Sequence, residues 1–196
     1  IPFVAYVGTA HSLDSNFKSK VMNALFAAGT LRIYKKNPVL AKTSAAKEEL
    51  RQLGVPHAVI APVGLDTAVL KKNIPADEKM RLRKEHGFEA DDVILCNVSR
   101  LSWEKRPLEL IDLFLQVKGK KKFKLIIVGN GPLEEELNEK IRKNGLEKEV
   151  KIYPNVPYEK MWEIYEMSDY YLNMNKGEIF GMAIMEAVYY KTSVAA

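Results

Sequence analysis

Cysteine is almost absent: Cys96 stands alone among 196 residues, so no internal disulfide can form. Its place in the apolar run Val93-Ile94-Leu95-Cys96 points to a packing role in a reducing compartment. Long hydrophobic runs are missing too. Nothing approaches the roughly 18 residues a spanning helix needs, and no charged-then-apolar leader opens the chain, which reads as a soluble, cytoplasmic protein. Compositional bias is also lacking. With 47% hydrophobic and 28% charged residues, 11 Gly and 9 Pro, disorder, collagen and low complexity are excluded. The chain starts at Ile1 rather than Met, and Phe3 to Val7 already reads as a buried strand, so a fragment is expected.

Charge of one sign is only mildly in excess. The formal net charge of +5 favours anionic partners, whether nucleic acid, a phosphorylated small molecule or an anionic membrane surface. The densest basic stretch, Lys118 to Lys124, holds one aromatic residue, Phe123, and falls between a helix and a strand. That arrangement fits a solvated loop and argues against nucleic-acid binding.

What the sequence does contain is a succession of short apolar runs. They lie at Phe3 to Val7, Val39 to Lys42, Ala58 to Ala61, Val93 to Val98, Lys124 to Val128, Val150 to Tyr153, Tyr170 to Met174 and Ser193 to Ala196. Helical spacing fills most intervals. Leu133, Leu137 and Ile141 share one helix face, Pro132 suits its first turn and Asn144-Gly145 stops it, while Ser44 is placed to cap a helix ending at Gly54. Strands that are apolar throughout and alternate with helices predict an α/β protein with parallel sheets covered on both faces. From Val93 onward, five strand candidates and four helices make a doubly wound domain. The expected division is 1–72, the end of an incomplete second Rossmann-like domain plus the start of a linker, and 73–196, the doubly wound domain.

In doubly wound sheets ligands bind at the carboxyl ends of the strands, so the loops there are the place to seek chemistry. Arg100 and Lys105 flank the first loop, ahead of a helix starting near Pro107, and can hold a phosphate group; two solvated surface cations is the alternative. Gly129-Asn130-Gly131-Pro132 follows the next strand and permits a tight turn or close approach of backbone to a ligand. Glu134 stands where a dinucleotide fingerprint needs its third glycine, so no nicotinamide or flavin cofactor is expected. In the third loop, Glu178 precedes a helix and Glu186 falls in its second turn, with Phe180-Gly181 between them. Carboxylates accept paired hydrogen bonds from sugar hydroxyls. Taken singly, each glutamate also reads as a helix-terminal or solvent-facing residue.

Together these loops resemble the donor-binding domain of the retaining glycosyltransferases of family 4, which have the GT-B fold. The resemblance rests most specifically on Glu178 and Glu186 with Phe180-Gly181 inside the pair. Arg100, Lys105, the Gly129 to Pro132 turn and Ala61-Pro62-Val63-Gly64-Leu65-Asp66 add to it. It implies that Arg100 and Lys105 hold the diphosphate of a nucleotide sugar, that Glu178 faces the donor sugar and that Glu186 binds ribose. His11, in Gly8-Thr9-Ala10-His11-Ser12, resembles the acceptor-side loop and faces the reacting sugar on this reading; a loop-capping role is the alternative. The candidate catalytic residues are thus Glu178, Arg100, Lys105 and His11. The candidate substrate-binding residues are Glu186, Phe180, Gly181, Gly129, Gly131 and Tyr153, the last ending the strand before the base-side loop. Val63, Pro154, Lys191 and Ser193 depart from the family pattern and leave base identity and local backbone geometry open.

The implied reaction moves a hexose-type sugar from a nucleoside diphosphate to an acceptor hydroxyl with retention, the acceptor being a glycan or a lipid-linked molecule. Peripheral association with the inner membrane face is compatible with the basic balance. No cofactor is expected beyond the donor substrate. No metal is expected either, because no Asp-x-Asp motif occurs, and His57 and His86 lack partners at ligand spacing. A sugar-nucleotide epimerase of the same fold and a nucleotide-sugar-binding module without turnover are the competing readings. The isolated fragment is expected to bind donor and to transfer sugar poorly.

Overall fold

The computed structural model describes residues 4–7, 21, 24–25, 29–117, 119, 122–175 and 181–195. The chain divides between Gly64 and Leu65 into two compact units. In the first, β1 (Ala5–Val7), β2 (Val39–Ala41) and β3 (Val59–Ile60) form a parallel sheet in the order β1-β2-β3. Two helices are described there, α1 (Thr30–Tyr34) and α2 (Ser44–Gln52). Ala46 and Leu50, one turn apart on α2, are buried with Val39, Ala41 and Val55. The cap lies one residue before the expected Ser44: the Thr43 hydroxyl accepts from the Ala46 N–H at 3.0 Å. At the other end Gly54 adopts φ +80° while the Val55 N–H bonds to the Leu50 carbonyl, closing the helix where the sequence predicts. His57 is a loop clamp, its Nε2 within 3.1 Å of the Tyr34 carbonyl and 3.0 Å of the Asn37 carbonyl.

The second unit is built on five parallel strands, β4 (Val93–Val98), β5 (Phe123–Val128), β6 (Val150–Tyr153), β7 (Tyr170–Leu172) and β8 (Ser193–Ala195), in the order β6-β5-β4-β7-β8. Its helices are α3 (Glu78–Glu85), α4 (Pro107–Val117), α5 (Glu134–Lys143), α6 (Met161–Met167) and α7 (Met182–Tyr189). Side chains of the central strands alternate between two cores. Ile94, Cys96, Ile126 and Val128 face α3, α6 and α7, whereas Leu95, Leu125 and Ile127 face Leu110, Ile111 and Phe114 of α4 and Leu137 and Ile141 of α5. This is the doubly wound α/β arrangement expected from the apolar runs. Leu65 and Leu70, in the stretch the sequence reading assigns to the first segment, pack with the α3–α6–α7 core.

Local chemistry explains the helix limits. The first turn of α5 carries Glu134, Glu135 and Glu136 and its last carries Lys140, Arg142 and Lys143, each sign at the favourable end of the helix dipole. Pro107 opens α4, where a missing N–H costs nothing. Cys96 is fully buried, and desolvation pushes its thiol up to about 12, in keeping with a packing role. Among the described residues no helix is long and apolar enough to cross a membrane.

The amino edge of this sheet is tied by an ion cluster that sequence spacing does not reveal. Arg83 of α3, 5% exposed, bonds through Nη2 to Asp169 Oδ2 at 2.6 Å and through Nε to the Met167 carbonyl at 3.0 Å. Lys79 reaches Asp169 Oδ1 at 2.8 Å, and the Ile94 N–H donates to Oδ2 at 2.9 Å. Burial opposes ionisation of Asp169, yet Lys79, the Ile94 N–H and Arg83 together hold its carboxyl below the usual carboxylate range.

Candidate functional site

The sheet order locates the site. From β4 the chain runs outward through β5 to β6, then returns to place β7 on the other side of β4. In such a sheet a ligand is expected outside the carboxyl ends of the strands where the strand order reverses, which here is between β4 and β7. The loop after β4 carries Arg100 and Lys105, as the sequence reading requires.

That loop is held by its neighbours. The Ser99 N–H donates to the Val128 carbonyl at 3.0 Å, Leu101 N–H to the Asn130 carbonyl at 2.9 Å and Leu133 N–H to the Leu101 carbonyl at 3.0 Å. The loop after β5 is latched in turn to the one after β6: the Gly129 N–H bonds to the Tyr153 carbonyl at 3.0 Å and the Asn130 amide to Asn155 Oδ1 at 2.9 Å. Gly129 and Gly131 owe their identity to this contact. A Cβ on Gly129, where φ is +137°, would stand 2.0 Å from the Ser99 carbonyl oxygen, and one on Gly131 would stand 2.5 Å from that of Leu101. The close approach for which they leave room is to the neighbouring loop.

Within the first loop, Trp103–Lys105 forms a short 3-10 turn, and Arg106 follows in the left-handed region with φ +53° before α4 begins. Arg100 is exposed and Lys105 is half-buried. The Glu104 carboxyl is held below its ordinary range by the Ser102 hydroxyl and its own backbone N–H, with Arg100 and Lys105 adding attraction. The loop therefore presents two cations around a single carboxylate. Polar residues buried beneath it brace the β4–β7 seam. Asn97 donates to the Leu172 carbonyl at 2.7 Å and accepts from the Ser99 hydroxyl at 2.9 Å, while the Tyr171 hydroxyl donates to the Val98 carbonyl at 3.2 Å. Sequence reasoning missed these residues; the signal available was an asparagine inside the otherwise apolar run of β4.

Glu186 departs from a solvent-facing reading. It is only 7% exposed, and Oε2 accepts a 2.7 Å hydrogen bond from the Tyr165 hydroxyl of α6. Burial and the Glu186 carboxylate both push the Tyr165 phenol up, and the same two causes act on Tyr158, which follows β6. Tyr165 also stacks on Tyr190, with ring centroids 5.9 Å apart. Tyr153, half-buried, directs its hydroxyl to His86 Nδ1 at 2.9 Å, which gives His86 a structural partner as well. Gly181 directly precedes α7. His11, Glu178 and Phe180 lie outside the described residues. Among the described residues no three His, Cys, Asp or Glu side chains gather as ligands for one metal ion.

Comparison with known proteins bears on this arrangement. The family "Glycosyl transferases group 1" matches residues 78–196, well over half of the chain. The chain belongs to this family. Among relatives of this group 1 member, an uncharacterized glycosyltransferase of Methanocaldococcus jannaschii is 23% identical over 190 residues, which are 93% of this chain and 49% of that protein. Alpha-monoglucosyldiacylglycerol synthase of Streptococcus pneumoniae is 24% identical over 139 residues, 70% of this chain and 32% of the synthase. The crystal structure of Anabaena HepE in complex with UDP and glucose matches with a TM-score of 0.78 at 21% identity, covering 98% of this chain and 52% of that one. The group 1 chain thus has the GT-B glycosyltransferase fold, and it spans about half or less of the length of these relatives.

Proposed function

We propose that this group 1 chain supplies the nucleotide-sugar site of a retaining glycosyltransferase, in which a sugar passes from a nucleoside diphosphate to an acceptor hydroxyl. The observation that carries the reading is the latched carboxyl edge, where Arg100 and Lys105 stand on a loop fixed by backbone hydrogen bonds to the Gly129 to Leu133 turn. When the glycosidic bond breaks, negative charge gathers on the departing diphosphate. Cations already held in place stabilise that charge without reorganising. Glu186, oriented by Tyr165, is assigned to the ribose hydroxyls, and Glu178 to the donor sugar. Gly129 and Gly131 shape the floor rather than bind directly, Gly181 provides the entry to α7, and Phe180 is assigned to substrate binding. UDP in the HepE complex and the glucosyldiacylglycerol in the name of the streptococcal relative support a nucleotide-sugar donor and a lipid-linked acceptor. His11 is assigned to the acceptor side.

Titration calorimetry with UDP, GDP and ADP tests the donor site. Replacing Arg100 or Lys105 by Ala is expected to weaken diphosphate binding by about 1.5 to 3 kcal/mol, the contribution of a charge-assisted hydrogen bond. Unchanged affinity in both variants would overturn the phosphate assignment. In a transfer assay the same chain is expected to turn over little, because reacting geometry also needs a positioned acceptor.

A further inference from the structure

A cavity of about 440 Å³ opens at the other end of the second unit, beside the residues that lead into β7 and β8. Its lining includes four lysines, Lys71, Lys72, Lys79 and Lys191, with Glu166 as the acidic side chain among them. Other carboxylates act from behind this wall. Asp169 holds Lys79, and Glu78 attracts Lys71, whose ammonium also sits 5.3 Å from the centre of the Trp162 ring. Lys72 and Lys191 are exposed, and their ammonium groups make no hydrogen bond or ion pair among the described residues.

Two further features separate this concavity from an ordinary basic surface. Tyr190, 8% exposed, lines it and accepts the Lys71 backbone N–H at 3.1 Å, while its own O–H donates to nothing among the described residues. Lys191 holds φ +59° just past the end of α7, a conformation that costs a lysine more than a glycine. The chain therefore carries an ammonium at a position where backbone geometry alone favours Gly. A buried phenol in the lining together with two uncommitted ammoniums suits an anion rich in acceptor oxygens.

We propose that this cavity binds a phosphate-bearing anion, with Lys72 and Lys191 as its charged contacts and the Tyr190 hydroxyl as a neutral donor. The site is separate from the Arg100–Lys105 loop, which leaves the opposite, carboxyl edge of the sheet. A phospholipid headgroup and a free phosphomonoester present the same chemistry, and the two probes below distinguish them.

The test compares the wild-type chain with a Lys72→Ala/Lys191→Gly double variant and a Lys36→Ala/Lys148→Ala control that loses equal charge elsewhere. Lys191→Gly suits the backbone, and Lys72 has no partner to lose, so the double variant is expected to fold. Glycerol 3-phosphate binding is read by calorimetry, and sedimentation is read with phosphatidylglycerol against phosphatidylcholine vesicles. The proposal expects the cavity variant to bind the responding probe about tenfold more weakly, with the control and UDP affinity unchanged. A response to glycerol 3-phosphate alone identifies a free phosphomonoester, and a response to phosphatidylglycerol vesicles identifies a lipid headgroup. The proposal is overturned if the wild type binds neither probe, or if the control loses as much as the cavity variant.

Discussion

Gly129→Ala is the substitution for which the structure gives the firmest magnitude. The added methyl would sit 2.0 Å from the Ser99 carbonyl oxygen, so one of the two loops must retreat by about 1.2 Å to restore even a tight van der Waals contact. That retreat acts on the Ser99-to-Val128 and Leu101-to-Asn130 backbone bonds, each worth about 0.5 to 1.5 kcal/mol net. Holding an alanine at φ +137° adds about 1 to 3 kcal/mol. The expected loss is therefore about 2 to 6 kcal/mol, or a fall of at least about 4 °C in Tm. Urea unfolding followed by tryptophan fluorescence reads it cleanly, since both tryptophans, Trp103 and Trp162, belong to the second unit. Gly64→Ala is the control, because its added methyl meets nothing within 4 Å. Equal stability of the Gly129 variant and the control would refute the account of this turn. Were the glycine needed only by a ligand, alanine would spoil binding and leave unfolding untouched.

Four other outcomes follow from the geometry. Asp169→Ala leaves the buried Arg83 guanidinium without its counter-ion and is expected to cost about 3 to 5 kcal/mol in denaturant unfolding. Because the folded Asp169 carboxyl titrates below its unfolded value near 3.9, its stabilisation is present above that pH and is lost as pH falls through the folded value; Asp169→Asn should abolish this part of the acid transition. Cys96, fully buried and with its thiol raised to about 12, is expected to react with an aromatic disulfide reagent only as fast as the chain opens, so a burst of labelling in native buffer would contradict its packing role. Glu186→Gln is expected to weaken UDP binding about tenfold or more through ribose, measured by calorimetry, and an unchanged affinity would remove Glu186 from the site.

The strands were legible because each is a short apolar run bounded by turn residues, and α5 because Leu137 and Ile141 repeat at helical spacing. Where two hydroxyl residues adjoin, as Thr43 and Ser44 do, pattern alone cannot choose which one caps, and backbone dihedrals decide. The Gly129 to Pro132 turn was visible, but its cause was not. The neighbour that excludes a side chain comes from a loop about 30 residues earlier, at Ser99 and Leu101. Likewise, nothing adjacent in sequence indicates that Arg83 will meet Asp169 or that Tyr165 will meet Glu186, because these pairs form only when α3, α6 and α7 pack on one face of the sheet. Glu186 could be picked out by its spacing from Glu178, whereas its burial could not.

Asn97 has a consequence for how the chain finds a single pairing. The β4–β5 ladder aligns six residue pairs, from Val93 with Phe123 to Val98 with Val128, while β4–β7 aligns only two, Leu95 with Tyr170 and Cys96 with Tyr171. So short a ladder discriminates weakly against a shifted alignment. A slip of one residue would move the Leu172 carbonyl about 3.3 Å from the Asn97 amide and turn Tyr171 to the opposite face. One amide in an otherwise oily strand thus makes the mispaired sheet costly, and it favours uniqueness of alignment at the strand pair where the sheet order reverses.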